Sequence, residues 1–182
     1  MLLATGNLHK VEEVQRALGP AVTVRAEDPG VEETGSTFEA NALIKARALA
    51  ARAGEPALAD DSGIEIDHLD GAPGIHSARW TEEGDWIPKV LREMDGVAVG
   101  DRGCRYVCAA AVVWPDGREV VVRGTVEGTI ADAPRGSGGF GYDPIVVPRE
   151  GDGRTFGEMS ADEKQAISHR ARAFTALRAH LA

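Results

Sequence analysis

Apolar residues in this 182-residue chain fall into short blocks and a few periodic runs. Met1 to Ala4 is a brief apolar block running into Thr5-Gly6-Asn7, which predicts a buried strand that ends in a turn. Val11, Val14, Ala17 and Leu18 recur at helical spacing, and Gly19-Pro20 stops the helix. Residues 21 to 25 alternate as a second strand would. Ser36 to Glu39 reads as a capping box ahead of Ala40, Leu43, Ile44, Ala46 and Leu49, with Gly54 and Pro56 closing that helix.

Ala57-Leu58-Ala59 predicts a third short strand ending at Asp60-Asp61-Ser62-Gly63, which would put polar groups at a sheet edge where α/β proteins bind ligands. Ile64 to Asp67 alternates again, residues 71 to 77 read as loop, and 86 to 94 as a short helix. Cys104 to Trp114 and Arg118 to Ile130 are long β-rich runs joined by Pro115-Asp116-Gly117. That turn implies an antiparallel hairpin, hence a mixed sheet. A glycine-rich stretch, 136 to 141, precedes a strand at Ile145 to Val147. Ser160 to Glu163 is a second capping box, and an Ala-rich helix starts near Ser168. Neither repeats nor linkers interrupt residues 1 to 182, so a single domain is expected.

Composition narrows the class. Hydrophobic residues make up 43% of the chain and the formal charge is −9, ordinary for a globular domain and unsuited to neutralising nucleic-acid phosphates. No apolar run approaches the roughly 18 residues of a membrane helix, and no basic leader precedes the first block. A cytoplasmic protein that binds neither nucleic acid nor membrane is expected. Cys104 and Cys108 lie four apart in a predicted strand, about 13 Å from one another, so they are expected as buried thiols rather than a disulfide.

Several residues could carry chemistry. Lys10 enters a helix after a strand-Gly turn, a geometry that presents N–H groups and an ammonium to phosphate. No Gly-Lys-Ser/Thr occurs, so this is not a Walker A loop. Gly136-x-Gly138-x-x-Gly141 matches a dinucleotide fingerprint by letter, but a strand follows it instead of a helix, so that reading fails. The glycines beside Phe140 and Tyr142 fit either a backbone approach to a planar base or a flexible loop over core aromatics. Asp60-Asp61 suits Mg²⁺; adjacent strand residues face opposite ways, so only one of the two reaches an ion. Glu32 and Glu33 are candidates for a second carboxylate, and a solvated acidic turn is the alternative. His68 and His76 have no partner at metal-ligand spacing. Lys164, His169 and Arg170 cluster near the last helix. If Ser168 starts a new helix, His169 and Arg170 occupy its first turn, where an anion is favoured; if one helix runs through, Arg170 turns away.

These segments resemble, in order from residue 2 to 170, the inosine-triphosphate pyrophosphatase family. The matching pieces are Leu3-Ala4-Thr5-Gly6-Asn7 with Lys10, Glu33-Thr34-Gly35 with Thr37-Phe38 and Asn41-Ala42, and Lys45-Ala46. Further along come Ala59-Asp60-Asp61-Ser62-Gly63, Gly71-Ala72-Pro73-Gly74-Ile75, Ser77-Ala78-Arg79, Gly138 to Pro144, Glu163-Lys164 and Ser168-His169-Arg170. The resemblance implies an α/β fold of two lobes around a long curved mixed sheet with flanking helices, the active site in the cleft, and a homodimer. It implies Mg²⁺-dependent hydrolysis of inosine, deoxyinosine or xanthosine triphosphate to the monophosphate and pyrophosphate. In that reading Thr5, Gly6, Asn7, Leu8, His9 and Lys10 line the triphosphate, and Lys45 faces it. Asp61 acts on water and metal, with Glu32 as second metal carboxylate. Ser62, Lys164, His169 and Arg170 contact the substrate, while Phe140, Gly141, Tyr142 and Asp143 frame the base. A non-catalytic nucleotide-binding module and the septum-inhibitor-like pyrophosphatases are the competing readings; the latter group is Ser- and Arg-rich where this chain has Thr5-Gly6-Asn7.

Overall fold

Asn7, Thr37 and Ser168 each turn a loop into a helix by accepting a backbone N–H that the first turn leaves unpaired. In the computed structural model, which describes residues 1–81 and 84–181, Asn7 caps α1 (Leu8–Leu18), Thr37 caps α2 (Phe38–Ala53) and Ser168 caps α5 (His169–Arg178). Between the last two lie α3 (Trp86–Glu93) and α4 (Ala161–Ile167). Gly19 and Gly54, at φ 75° and 68°, end α1 and α2 by donating to Gln15 and Ala50. The cap of α2 is one residue later than expected: Thr37, not Ser36, accepts from the Ala40 N–H at 3.1 Å. At α4 the reciprocal Ser160–Glu163 box forms as the letters suggest, with bonds of 2.7 and 3.2 Å. Ser168 breaks the last segment into two helices.

Among the described residues six strands form one sheet in the order β2-β1-β3-β4-β5-β6. They are β1 (Leu2–Ala4), β2 (Arg25–Glu27), β3 (Ala57–Ile66), β4 (Gly103–Val113), β5 (Glu119–Ile130) and β6 (Val146–Pro148). β1 pairs in parallel with β2 and β3, and β5 pairs antiparallel with β6, so the sheet is mixed. Three expectations shift. Residues 22 to 24 are not a strand, because the Gln15 side chain takes up the Val24 N–H and the Val22 carbonyl; pairing starts at Arg25. Asp60 and Asp61 do not end a strand but sit inside the ten-residue β3. Their charges are met by cations on the flanking helices, so the chain need not turn toward water to solvate them. The last strand also starts one residue late, after a 3₁₀ turn at Asp143–Ile145.

Contacts divide the chain into two units. The first comprises residues 1–62, 108–125 and the chain from 168; its core joins Leu3, Leu58, Cys108 and Val112 to Val14 and Leu18 of α1 and Phe174 and Leu177 of α5. Gly124 lies where a Cβ would strike the backbone of α5 at His169 and Ala173, so that helix lies directly on β5. The second unit comprises residues 63–107 and 126–167, with a core of Ile64, Ile66, Val90, Met94, Tyr106, Ile145 and Phe156. β3, β4 and β5 contribute residues to both units. Both cysteines are buried thiols. Among the described residues no helix is long and apolar enough to cross a membrane.

Candidate active site

The alternation of β3 sorts its side chains. Leu58, Asp60 and Ser62 share the face packed by α1 and α5, while Asp61 points to the face packed by α2. Asp60 is fully buried and accepts from Lys10 Nζ at 3.1 Å, from Ser62 Oγ at 3.1 Å, and from Nε and Nη2 of Arg170 at 3.3 Å. Arg170, 1% exposed, also donates to Ser62 Oγ at 2.7 Å and to Glu13 of α1. Burial would raise the Asp60 carboxyl, but Lys10, Arg170 and Lys45 outweigh it and hold that group well below the usual carboxylate range. The same carboxylates keep Arg170 protonated despite its burial.

Local sequence explains how these groups arrive. Thr5 Oγ1 accepts from the Asn7 N–H at 3.1 Å and Asn7 Oδ1 from the His9 N–H at 3.0 Å, folding Thr5–Asn7 into a tight turn that sets Lys10 on the first turn of α1. Gly6, Leu8 and His9 are exposed there. Ser168 caps α5 through the Ala171 N–H at 3.1 Å, which puts His169 and Arg170, both buried, at its first two positions.

On the other face Asp61 accepts from Asn41 Nδ2 at 3.0 Å and from the Ser62 N–H at 3.1 Å, with Lys45 Nζ 3.7 Å away. Lys45 also pairs with Glu33 at 2.5 Å. Asn41 and Lys45 belong to the buried stripe of α2 with Phe38, Ala42, Ala46 and Leu49, which is why the helix delivers them to the sheet. The Gly35 N–H donates to Asn41 Oδ1 at 2.8 Å, and a Cβ there would come within 2.6 Å of the same oxygen, so the acidic loop docks closely at this point. Burial raises the Asp61 pKa; Lys45 opposes this, and the Glu33 charge adds to it. Burial would lower the Lys45 ammonium, but Asp60, Asp61 and Glu33 raise it.

The family resemblance implies Glu32 as the second carboxylate. In the structure Glu32 is exposed, and its neighbour Glu33 is the one drawn to Asp61 through Lys45, whose ammonium bridges both carboxylates. Two carboxylates that share one cation are a suitable donor set for Mg²⁺, a hard ion that needs only one or two from the protein when phosphates supply more. Among the described residues no group of three or more His, Cys, Asp or Glu is arranged to hold a metal, so further ligands would come from substrate and water.

The second unit holds the other candidates. Asp143, 2% exposed, accepts from Lys164 Nζ at 2.7 Å and from the Phe140 N–H at 2.8 Å. Lys164 Nζ lies 4.5 Å from the centroid of the Phe140 ring. Gly139 and Gly141 both have positive φ, 67° and 63°, and a Cβ on Gly139 would collide with the Asp143 carboxylate. Tyr142 is buried, donates its hydroxyl to the Ser77 carbonyl at 2.8 Å and stacks on Trp86. His68 and His76 are exposed, as expected. Asn41 belongs to the Asn41-Ala42 match but has no role there, while Glu13 and Tyr106, which donates to Asp143, carry no motif that singles them out in the sequence; helical phase with Lys10 and Lys45 would have pointed to Glu13 and Asn41.

Comparison with known proteins assigns this arrangement to a family. The model of the Ham1 family matches residues 1–180. A dITP/XTP pyrophosphatase of Symbiobacterium thermophilum is 52% identical over 179 residues, 95% of this chain and 90% of that protein. Among solved structures, a HAM1 protein from Coxiella burnetii superposes with a TM-score of 0.86 at 38% identity, covering 99% and 96% of the two chains. A nucleoside-triphosphatase / dITP/XTP pyrophosphatase from Mycobacterium abscessus gives 0.77 at 43%, covering 97% of each. Matched from residue 1 to 180 by the family model and 52% identical to a relative over 95% of its length, this chain belongs to the Ham1 family.

Proposed function

We propose that the chain hydrolyses non-standard purine nucleoside triphosphates, dITP, ITP and XTP, to the monophosphate and pyrophosphate with Mg²⁺. The observation that carries this reading is the divergence of two consecutive carboxyls: Asp60 is buried and bonded to Lys10 and Arg170, while Asp61 lies on the other face of β3 beside Asn41 and the Lys45–Glu33 pair. An acid whose oxygens are taken up by buried cations serves structure, whereas its neighbour beside a second carboxylate is the one placed to act on metal and water. The names of the relatives, dITP/XTP pyrophosphatase, support the substrate class.

Asp61 orients a water toward the α-phosphorus and accepts its proton as the bond to the bridging oxygen breaks and pyrophosphate departs. Asp61 and Glu33 would hold the Mg²⁺, which supplies Lewis-acid neutralisation of phosphate oxygens. Lys10 and the Thr5–Asn7 turn bind the triphosphate, whose roughly four negative charges would otherwise be repelled by a chain of charge −9. Lys45 adds a cation beside Asp61. Phe140 offers the base a ring face, and Lys164 a donor suited to the oxygen at purine position 6, where adenine carries an amino group. The homodimer implied by the resemblance belongs to this proposal, and light scattering reads it directly.

Incubation with dITP and magnesium, with pyrophosphate and orthophosphate measured separately, tests the reaction. Pyrophosphate is expected, with catalytic efficiency for dITP and XTP well above that for dATP. Orthophosphate as the first product, or equal hydrolysis of dATP and dITP, rejects the proposal.

A further inference from the structure

We propose that Tyr106 is a positioning residue for substrate capture, acting through Asp143 on Phe140 and Lys164; the inference rests on the triphosphatase reading above. Tyr106 is in β4, 37 positions from Asp143, and its hydroxyl donates to Asp143 Oδ1 at 3.0 Å. The other carboxylate oxygen, Oδ2, accepts both the Phe140 N–H and the Lys164 ammonium. One carboxylate thus joins a strand, the glycine-rich loop and α4, with each oxygen assigned to different partners.

Burial and the adjacent Asp143 charge push the Tyr106 hydroxyl above its ordinary pKa, so it is held as a donor. Its ring is fixed against Phe156, with centroids 5.7 Å apart. Without the hydroxyl, Oδ1 would be left buried and unsatisfied, and the cheapest remedy is rotation of the carboxylate so that both oxygens face Lys164. That rotation weakens the bond to the Phe140 N–H and ties the ammonium more tightly to the protein. Both effects remove groups from the substrate, and neither touches Asp61.

Tyr106→Phe keeps the ring and deletes only the donor. The expected result is a KM for dITP raised about tenfold, the loss of one hydrogen bond to a charged group, with kcat within about twofold of wild type. In an Asp143→Asn background the same substitution is expected to add nothing further, since a residue acting through Asp143 has no separate route. A lowered melting temperature with unchanged KM would make Tyr106 merely structural and overturn the inference. So would equal KM losses from Tyr106→Phe in the wild-type and Asp143→Asn backgrounds. If wild-type protein releases no pyrophosphate from dITP, the functional reading itself fails and this inference with it.

Discussion

Asp60 and Asp61 are consecutive in β3, yet they answer to different helices. Asp60 is bonded to Lys10 and Arg170 from α1 and α5, while Asp61 is bonded to Asn41 and lies beside Lys45, both from α2. Strand alternation alone separates them. Its consequence is electrostatic: Asp60 faces two cations at bonding distance and loses all contact with solvent, whereas Asp61 shares one more distant ammonium with Glu33.

Asp61→Asn is therefore expected to fold normally and bind dITP while turnover falls about 10²- to 10⁴-fold, the range of a lost general base. Asp60→Asn should do the reverse. It leaves Lys10 and buried Arg170 beside a neutral amide, with Glu13 still paired to Arg170, at a cost of about 1.5–3 kcal/mol in stability for a hydrogen bond to a charged group, while the folded fraction keeps most of its turnover. Urea denaturation together with single-turnover kinetics separates the two, and interchanged phenotypes would reverse the roles.

Arg170→Ala and Lys164→Ala should both weaken catalytic efficiency, by roughly ten- to 150-fold for a charge-assisted contact. They should differ in stability. Removal of Arg170 leaves Asp60 and Glu13 without their shared guanidinium, but removal of Lys164 leaves Asp143 still bonded to Tyr106 and the Phe140 N–H. Thermal melts are expected to show a large drop for Arg170→Ala and a small one for Lys164→Ala; equal drops would contradict this account.

Chelation should abolish pyrophosphate release and added magnesium restore it. Glu33→Gln should raise the magnesium concentration needed for half-maximal rate, whereas Glu32→Gln, at an exposed position, should leave it nearly unchanged. Full activity in excess chelator would remove the metal from the mechanism, and a Glu32 effect exceeding that of Glu33 would restore the assignment implied by the resemblance.

Stability should fall on the alkaline side. Burial, with Asp67 and Glu127 nearby, pushes the Cys104 thiol up to about 12, and burial beside Asp60 raises Cys108 further. In the unfolded chain a thiol titrates near about 8.5. Above that value the unfolded state releases protons that the folded state retains, so unfolding becomes easier as pH rises, by up to about 1.4 kcal/mol per pH unit per thiol. Urea midpoints between pH 7 and 10 check the slope, which should flatten in Cys104→Ala.

The elements whose causes lie within a few residues are legible in the sequence. The Ser160–Glu163 box, the glycine stops after α1 and α2, and the Pro115-Asp116-Gly117 hairpin follow from local hydrogen bonds and backbone freedom. Structure and expectation part where a remote side chain intervenes. Gln15 takes the hydrogen bonds that residues 22 to 24 would have offered a strand, and cations on α1, α2 and α5 let β3 continue through two aspartates.

Sequence by itself determined the ordered motifs, and through them the α/β class and the family, because spacing along the chain preserves turn chemistry and helical phase. Tertiary structure alone decided which neighbours each carboxylate of an acidic pair meets. Asp60 meets Lys10 across 50 positions and Arg170 across 110, and it is Glu33 rather than Glu32 that pairs with Lys45 of α2. Charge, burial and pKa depend on distances in space, and a local reading of residue types cannot tell two adjacent acids apart until the fold has chosen their neighbours.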